Sequence, residues 1–445
     1  MVTIIDAVMG TGKSTAMFTR LNTELSQKFI ILTLLRIEVK RYNEEISSAF
    51  SGKRPDVEAL EEQTSISMKQ RFLDAVRAGK TVITTHALFA DLNEWDLAGL
   101  TNINEYSLII DETITLVDPK GLLDGDLQDL VDLSCVEPVN YQNIKGLEYY
   151  KLLPKGKEII DRKKGALYNI LNSVSGQHVY KVDKANVLFI VPPEMLTAFK
   201  DVTIMTYMFL ESETHAWLEL FRLKYQHFNL VRTGRASHDQ IKHNGTYNGN
   251  QFKNHLTIYD HEINEIGLMK LRRKGATPLT MRWYNRKSTT QKEDIAKLSN
   301  NLRTFFRHIK INYAADKSDM MWTCPSDFKD KLRHSEFDDK VEDSDGHRKN
   351  WVPFNQKATN KFKNRHYLAY PMNVYPRQDV VEFFKMHKVP FSRDRFGLST
   401  LLQWVWRSAI REEGNVILYL PSPRMRALLE DWLMSPLLKM LSPKP

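Results

Sequence analysis

Residues 4–18 read IIDAVMGTGKSTAMF, and no other stretch restricts the fold as tightly. An apolar, β-branched run breaks into Gly-Thr-Gly-Lys-Ser-Thr and then resumes with residues that suit a helix. A strand ending near Ile5, a tight loop through Gly10 and Gly12, and a helix from about Lys13 would aim successive backbone N–H groups and a helix N-terminus at one point. That is the geometry of an anion cradle. Gly10, Thr11 and Gly12 would let the backbone approach a phosphate closely. Lys13 would reach the β- and γ-phosphates, and the Ser14 hydroxyl would ligate Mg2+. Thr15 adds a second hydroxyl suited to capping the helix. The pattern G-x-x-x-x-G-K-[ST] is met except at its first position, where Ala7 stands. The plainer reading is a Gly-rich turn that merely ends in Lys-Ser; the strand before it and the apolar helix after it favour phosphate.

A phosphate cradle alone implies only nucleotide binding. The stretch YSLIIDETI (106–114) supplies the next element of chemistry. An apolar strand ending in Asp-Glu brings Asp111 to the carboxyl end of a sheet, where α/β proteins bind ligands. Asp111 could hold Mg2+ there, directly or through water, while Glu112 could orient and deprotonate an attacking water. Alternatively, the pair simply ends a strand and caps the helix that follows.

Apolar runs recur along the chain with helical segments between them, the pattern of an α/β protein whose parallel sheets are covered by helices. Strands are expected at 2–5, 29–35, 81–89, 106–111, 186–191 and 201–209, then at 255–260, 320–324, 366–372 and 415–421. The polar stretch 232–254 reads as a linker or surface loop between a first domain, 1–231, and a second, 255–445. Residues 112–185 read as inserted helical hairpins. A chain of 445 residues exceeds what one core usually supports, so two domains fit its length.

The formal net charge of +9 favours a polyanionic partner, since Lys and Arg neutralise phosphates. A solubilising surface charge is the alternative. No apolar run is long enough to cross a bilayer and no secretory signal is visible. Two cysteines, Cys135 and Cys324, cannot build a disulfide framework, which suits a reducing cytoplasm.

The stretches AVMGTGKST and LIIDET together resemble superfamily 2 helicases of the DExx type, in particular helicase-like proteins of bacteriophages. FIILTLLRIEVKRYNE (29–44), with Arg36, resembles motif Ia, and VITTHALFADL (82–92) resembles the segment that contacts the nucleic-acid backbone. TIMTYMF (203–209) lies where motif III is expected; FNQKATNKFKNRHYLAY (354–370) is similar to motif V and STLLQWVWRSAIR (399–411) to motif VI. The resemblance implies two RecA-like (P-loop NTPase) domains and ATP and Mg2+ as ligands. No glutamine-bearing adenine motif precedes the phosphate loop, so the choice of ATP rests on the resemblance. The implied activity is an ATP-dependent helicase or translocase acting on nucleic acid, DNA first, in phage replication or recombination. Proteins of those processes are the implied partners and the host cytoplasm the implied compartment.

For individual residues, Lys13, Asp111 and Glu112 would be catalytic, with Gln403, Arg407 and Arg411 from motif VI. In a helix the last three fall at i, i+4 and i+8 on one face, beside the apolar stripe Leu402, Trp406, Ile410. Arg407 is the better arginine-finger candidate, because Arg411 lies one residue beyond the family's second arginine. Thr400-x-x-Gln403 also reads as a capping box. Thr84, Thr85 and His86 could donate to backbone phosphates; turn and capping chemistry is the alternative. Thr359 and Asn360 precede a basic cluster that could meet DNA or nucleotide. Two other classes stay open: another P-loop ATPase such as a packaging motor, and a catalytically degenerate helicase-like binding or loading protein.

Overall fold

Phe29, Ile30, Ile31 and Leu32, like Leu108, Ile109 and Ile110, are completely buried, because the strands they form are covered on both faces. Successive side chains of a strand point to opposite faces. Ile4, Ile30, Leu32, Leu108, Ile110 and Ile204 therefore join one core cluster. Ile5, Phe29, Ile31, Ile109 and Met205 join another, where they meet Met17, Leu21, Val39 and Tyr42 of two helices.

The computed structural model describes residues 1–47, 56–61, 65–118, 124–141, 144–162, 165–174, 176–183, 186–234, 237–269, 277–286, 290–338, 350–354 and 361–434. The first strands are β1 (Val2–Asp6), β2 (Lys28–Thr33), β3 (Val57–Ala59), β4 (Thr81–Thr85) and β5 (Tyr106–Asp111). Helix α1 (Lys13–Thr23) follows β1 and α2 (Arg36–Ser47) follows β2. Next come β6 (Val117–Asp118), β7 (Val136–Asn140), β8 (Leu147–Leu152), β9 (His178–Asp183) and β10 (Asn186–Ile190). The first half ends with β11 (Asp201–Thr206), β12 (Tyr225–Arg232) and β13 (His238–Lys242). The second set is β14 (Leu256–Ile258), β15 (Met320–Trp322), β16 (Tyr367–Ala369) and β17 (Val416–Tyr419).

Among the described residues these strands form three sheets. The largest has the order β13-β12-β1-β11-β5-β2-β4-β3, and every pairing in it is parallel except that of β12 with β13. One strand, β11, thus separates the phosphate-loop strand β1 from β5. Ile5 is paired with Met205, and Met205 with Asp111. The register brings the phosphate loop and Asp111 to the same carboxyl edge of the sheet, as expected. A second sheet, β6-β10-β9-β8-β7, is antiparallel. The third, β14-β17-β16-β15, is parallel.

The α/β class with helix-covered parallel sheets is as the sequence implies, and three corrections apply. The region expected to hold helical hairpins, 112–185, also carries β6 to β9. The expected strand at 186–191 joins that antiparallel sheet instead of the parallel one. The polar stretch 232–254 contains β13 and its hydrogen bonds to β12.

Contact between segments divides the chain into two units. The first comprises 1–243 and 377–392; the second comprises 244–376 and 393–445. The first unit's core takes in Val380, Phe383 and Phe384 from the helix Gln378–Met386. The first unit's main segment ends at residue 243, and the return of 377–392 to it is an addition that local composition does not signal.

Candidate nucleotide site

The phosphate loop begins where β1 runs out of ladder partners. Gly10 and Gly12 lie at φ 87° and 92°, the left-handed region where a side chain is strained. Gly12 is the N-cap of α1 and uses no side chain to cap it, so the expected capping by Thr15 does not occur. Thr15 is an exposed residue of the helix's first turn, and its carbonyl accepts the Thr19 hydroxyl at 3.2 Å. The Thr11 hydroxyl donates to the Val8 carbonyl at 2.8 Å, bracing the loop.

Lys13 is buried, and its ammonium donates to the Ala7 carbonyl and, at 3.3 Å, to that of Val8. The charge is therefore held inside the loop. The Ser14 hydroxyl lies 3.4 Å from Asp111 Oδ2, across 97 residues of sequence. Adjacent oxygen ligands of an octahedral cation with ~2.1 Å bonds stand about 3 Å apart. Ser14 and Asp111 accordingly fit the donor set of a Mg2+ site.

Asp111 Oδ2 also accepts the hydroxyl of Tyr42 at 2.9 Å, and the Arg41 guanidinium lies 4.0 Å away. Both groups come from α2. Burial pushes the Tyr42 hydroxyl well above its usual pKa, and the Asp111 charge adds to the rise, so Tyr42 remains a donor. Glu112 follows at φ 69°, a left-handed turn that ends β5, and its N–H donates to the Met205 carbonyl at 3.1 Å. Such a conformation costs about 1 kcal/mol for a residue with a Cβ.

Two further contacts escaped the sequence reading. Asp6, fully buried, accepts the backbone N–H groups of Met208 and Phe209 at 2.9 and 3.0 Å. It thereby fastens the phosphate-loop strand to the turn after β11, within the expected motif III segment. His238 on β13 packs on Gly12 so closely that a Cβ there would meet its Nε2 at 2.2 Å. A lone Asp ending an apolar run hints at the first contact; nothing local signals the second. Tyr42 could have been found as a polar-tipped aromatic on the buried stripe Val39, Tyr42, Ile46 of α2.

Other expected site residues are placed differently. Arg36 is exposed at the start of α2. Thr84, Thr85 and His86 are 0%, 7% and 9% exposed, and the Thr85 hydroxyl accepts the Leu88 N–H at 3.3 Å as a helix cap. This corrects the expectation that they present donors to a strand backbone; the capping alternative holds for Thr85. Thr359 and Asn360 lie outside the described residues.

The expected face of Gln403, Arg407 and Arg411 does not form either, because the helix Arg393–Val405 stops before Arg407 and a separate turn of 3-10 helix spans Ala409–Glu412. The stop has a local cause. The Ser408 hydroxyl bonds to the Val405 carbonyl at 2.6 Å, and the Ala409 N–H donates to the Arg365 carbonyl at 3.0 Å instead of continuing the helix. Gln403 is half-buried, Arg407 buried and Arg411 exposed. Thr400 lies inside the helix with its hydroxyl on the Phe396 carbonyl at 2.8 Å, so it is no capping box.

No described helix is long and apolar enough to cross a membrane. Residues 250–433 match the family model of the YonV C-terminal Rossmann-like domain. Among solved structures, an XPD protein in its apo form has 12% identity and a TM-score of 0.49, with 97% of this chain and 95% of that chain covered. Xpd4 of S. tokodaii has 13% identity and a TM-score of 0.48, with coverage of 97% and 93%. A curated relative, the SPbeta prophage-derived uncharacterized protein YonV of Bacillus subtilis (strain 168), is 25% identical over 439 residues, 97% of this chain and 98% of its own length. The expected likeness to a phage-borne protein is therefore met: over nearly its whole length the chain is similar to a prophage-derived protein.

Proposed function

We propose that this chain is an ATP hydrolase of the helicase or translocase kind, acting on nucleic acid and on DNA first. One observation carries the reading: at the carboxyl edge of a parallel sheet a Gly-rich loop holds the Lys13 ammonium within itself and sets Ser14 beside Asp111 of a second strand end. Backbone N–H groups of residues 10–14 and the start of α1 would bind the triphosphate, and Lys13 would exchange its loop carbonyls for phosphate oxygens. Mg2+, held by Ser14 and Asp111, would neutralise charge on the β- and γ-oxygens. Tyr42 holds the Asp111 carboxylate in place. Glu112, directly after it, would accept a proton from the attacking water. The net charge of +9 agrees with a nucleic-acid track. One observation favours the non-hydrolysing reading instead: the motif VI segment does not set its two arginines on one helical face.

Steady-state ATP hydrolysis, with and without single-stranded DNA or RNA, tests the proposal. The unmodified protein should hydrolyse ATP faster when nucleic acid is added. Lys13→Ala should lose both nucleotide binding and turnover. Glu112→Gln should keep binding and lose about 10²-fold or more in rate, the usual worth of a general base. Nucleotide binding without hydrolysis on any track would establish the binding-protein reading.

A further inference from the structure

Asp6 has neighbours that its part in fastening the motif III turn does not explain. His227 Nε2 lies 2.9 Å from Asp6 Oδ2, and His243 Nε2 lies 3.9 Å from the same oxygen. The two imidazoles are stacked, with ring centres 4.0 Å apart and planes 12° from parallel. Their nitrogens and the carboxylate oxygen all lie within 4.8 Å of one another. A hydrogen bond accounts for the first imidazole. A second imidazole nitrogen converges on the same oxygen, at a separation beyond hydrogen-bond reach.

We propose that Asp6, His227 and His243 form a site for a divalent first-row transition-metal ion, zinc being the reference case. Two imidazole nitrogens and one carboxylate are a recurrent donor set for such ions, leaving further positions for water. Ligand atoms at about 2.0–2.1 Å from a metal stand roughly 3.0–3.4 Å from each other when adjacent. The Asp6–His227 separation is close to that spacing. The imidazole planes are nearly parallel, so an ion would draw the His243 ring out of the stack to aim its nitrogen at the same point.

The surroundings fit the same role. Ligating carboxylates are themselves hydrogen-bonded in metal sites, and Asp6 receives the N–H groups of Met208 and Phe209. The Phe209 ring stands edge-on to His227 at 5.2 Å, fixing its plane. The His243 N–H donates to the His227 carbonyl at 2.9 Å, so the backbone holds the two imidazoles adjacent. An ion here would join three segments: the end of β1, strand β12, and the residue just past β13. Since His238 of that hairpin packs on Gly12, metal binding would brace the wall of the phosphate loop without touching nucleotide.

Calorimetric titration of chelator-treated full-length protein with Zn2+, in the absence of nucleotide, tests the site. The expected result is one saturable equivalent, with affinity weakened at least about tenfold in both His227→Gln and His243→Gln and unchanged in His366→Gln, which removes an imidazole of the second unit. The Cu2+-loaded unmodified protein gives a reading that needs no variant: paramagnetic resonance should show coupling to two imidazole nitrogens. Absence of a saturable equivalent, binding that survives both substitutions, or a copper spectrum without nitrogen coupling would overturn the proposal.

Discussion

His178 on β9 lies with its ring 4.5 Å from that of Tyr141 and 6.0 Å from that of Phe221, and its Nδ1 has no hydrogen-bond partner among the described residues. Burial lowers its pKa from 6.5 to about 4. Above the unfolded value near 6.5 both states are neutral and the fold keeps its full stability. As pH falls below that value the unfolded chain gains a proton that the folded chain refuses, until about pH 4. The contribution lost across this window is about 3 kcal/mol. His178→Phe should remove it: the difference between the denaturant stabilities of the two proteins should shift by that amount between pH 7 and 4, and a constant difference would contradict the assignment. At this scale the placement of Lys13, Ser14, Asp111 and Glu112 at one sheet edge was legible, because each belongs to a stretch whose spacing ends a strand or starts a helix. Tyr42, Asp6 and His238 were not, since each acts through a partner more than 60 residues away or through contact with another strand.

Among the elements, the phosphate loop depends on Gly12 in two separable ways. An alanine there must adopt a left-handed backbone, and its Cβ must displace the His238 ring. Gly12→Ala should destabilise the first unit by about 1–3 kcal/mol and weaken nucleotide binding. Adding His238→Ala should recover the steric part and leave the backbone strain, which thermal unfolding of the single and double variants would separate. Strands β1, β2, β4, β5 and β11 were readable because parallel strands covered on both faces are continuous apolar runs. Strands β7, β8 and β9 mix buried and exposed residues without strict alternation, Glu137, Lys151 and Lys181 being exposed, and β13, with Ile241 as its one apolar residue, is otherwise polar. Such patterns merge with the loops around them. The motif VI helix was overextended for the opposite reason: Trp404, Val405, Trp406 and Ile410 are all buried, so apolar periodicity continues through a turn that breaks the backbone hydrogen-bond ladder.

For the molecule as a whole, the α/β class and two parallel sheets followed from pattern, whereas the assignment of 377–392 to the first unit did not. The helix Gln378–Met386 looks like any amphipathic helix of the second half, and only its burial partners reveal where it belongs. Phe384 is fully buried, with its ring 5.3 Å from Phe391, in the cluster that includes Ile4, Leu108 and Ile204. Phe384→Ala should therefore cost about 3–5 kcal/mol, with faster hydrogen exchange along β1, β5 and β11 and unchanged exchange in β16 and β17. Equal acceleration in both sheets would assign this helix to neither unit.

The same returning segment orders events during synthesis. Domains usually fold as the ribosome releases them, amino-terminal ones first. Here the amino-terminal core waits for residues 377–392. Until they emerge, the apolar side chains that Phe383 and Phe384 cover stay exposed on the nascent chain. A stall or premature stop within the preceding stretch would leave a sticky, protease-sensitive intermediate in place of a shorter folded protein.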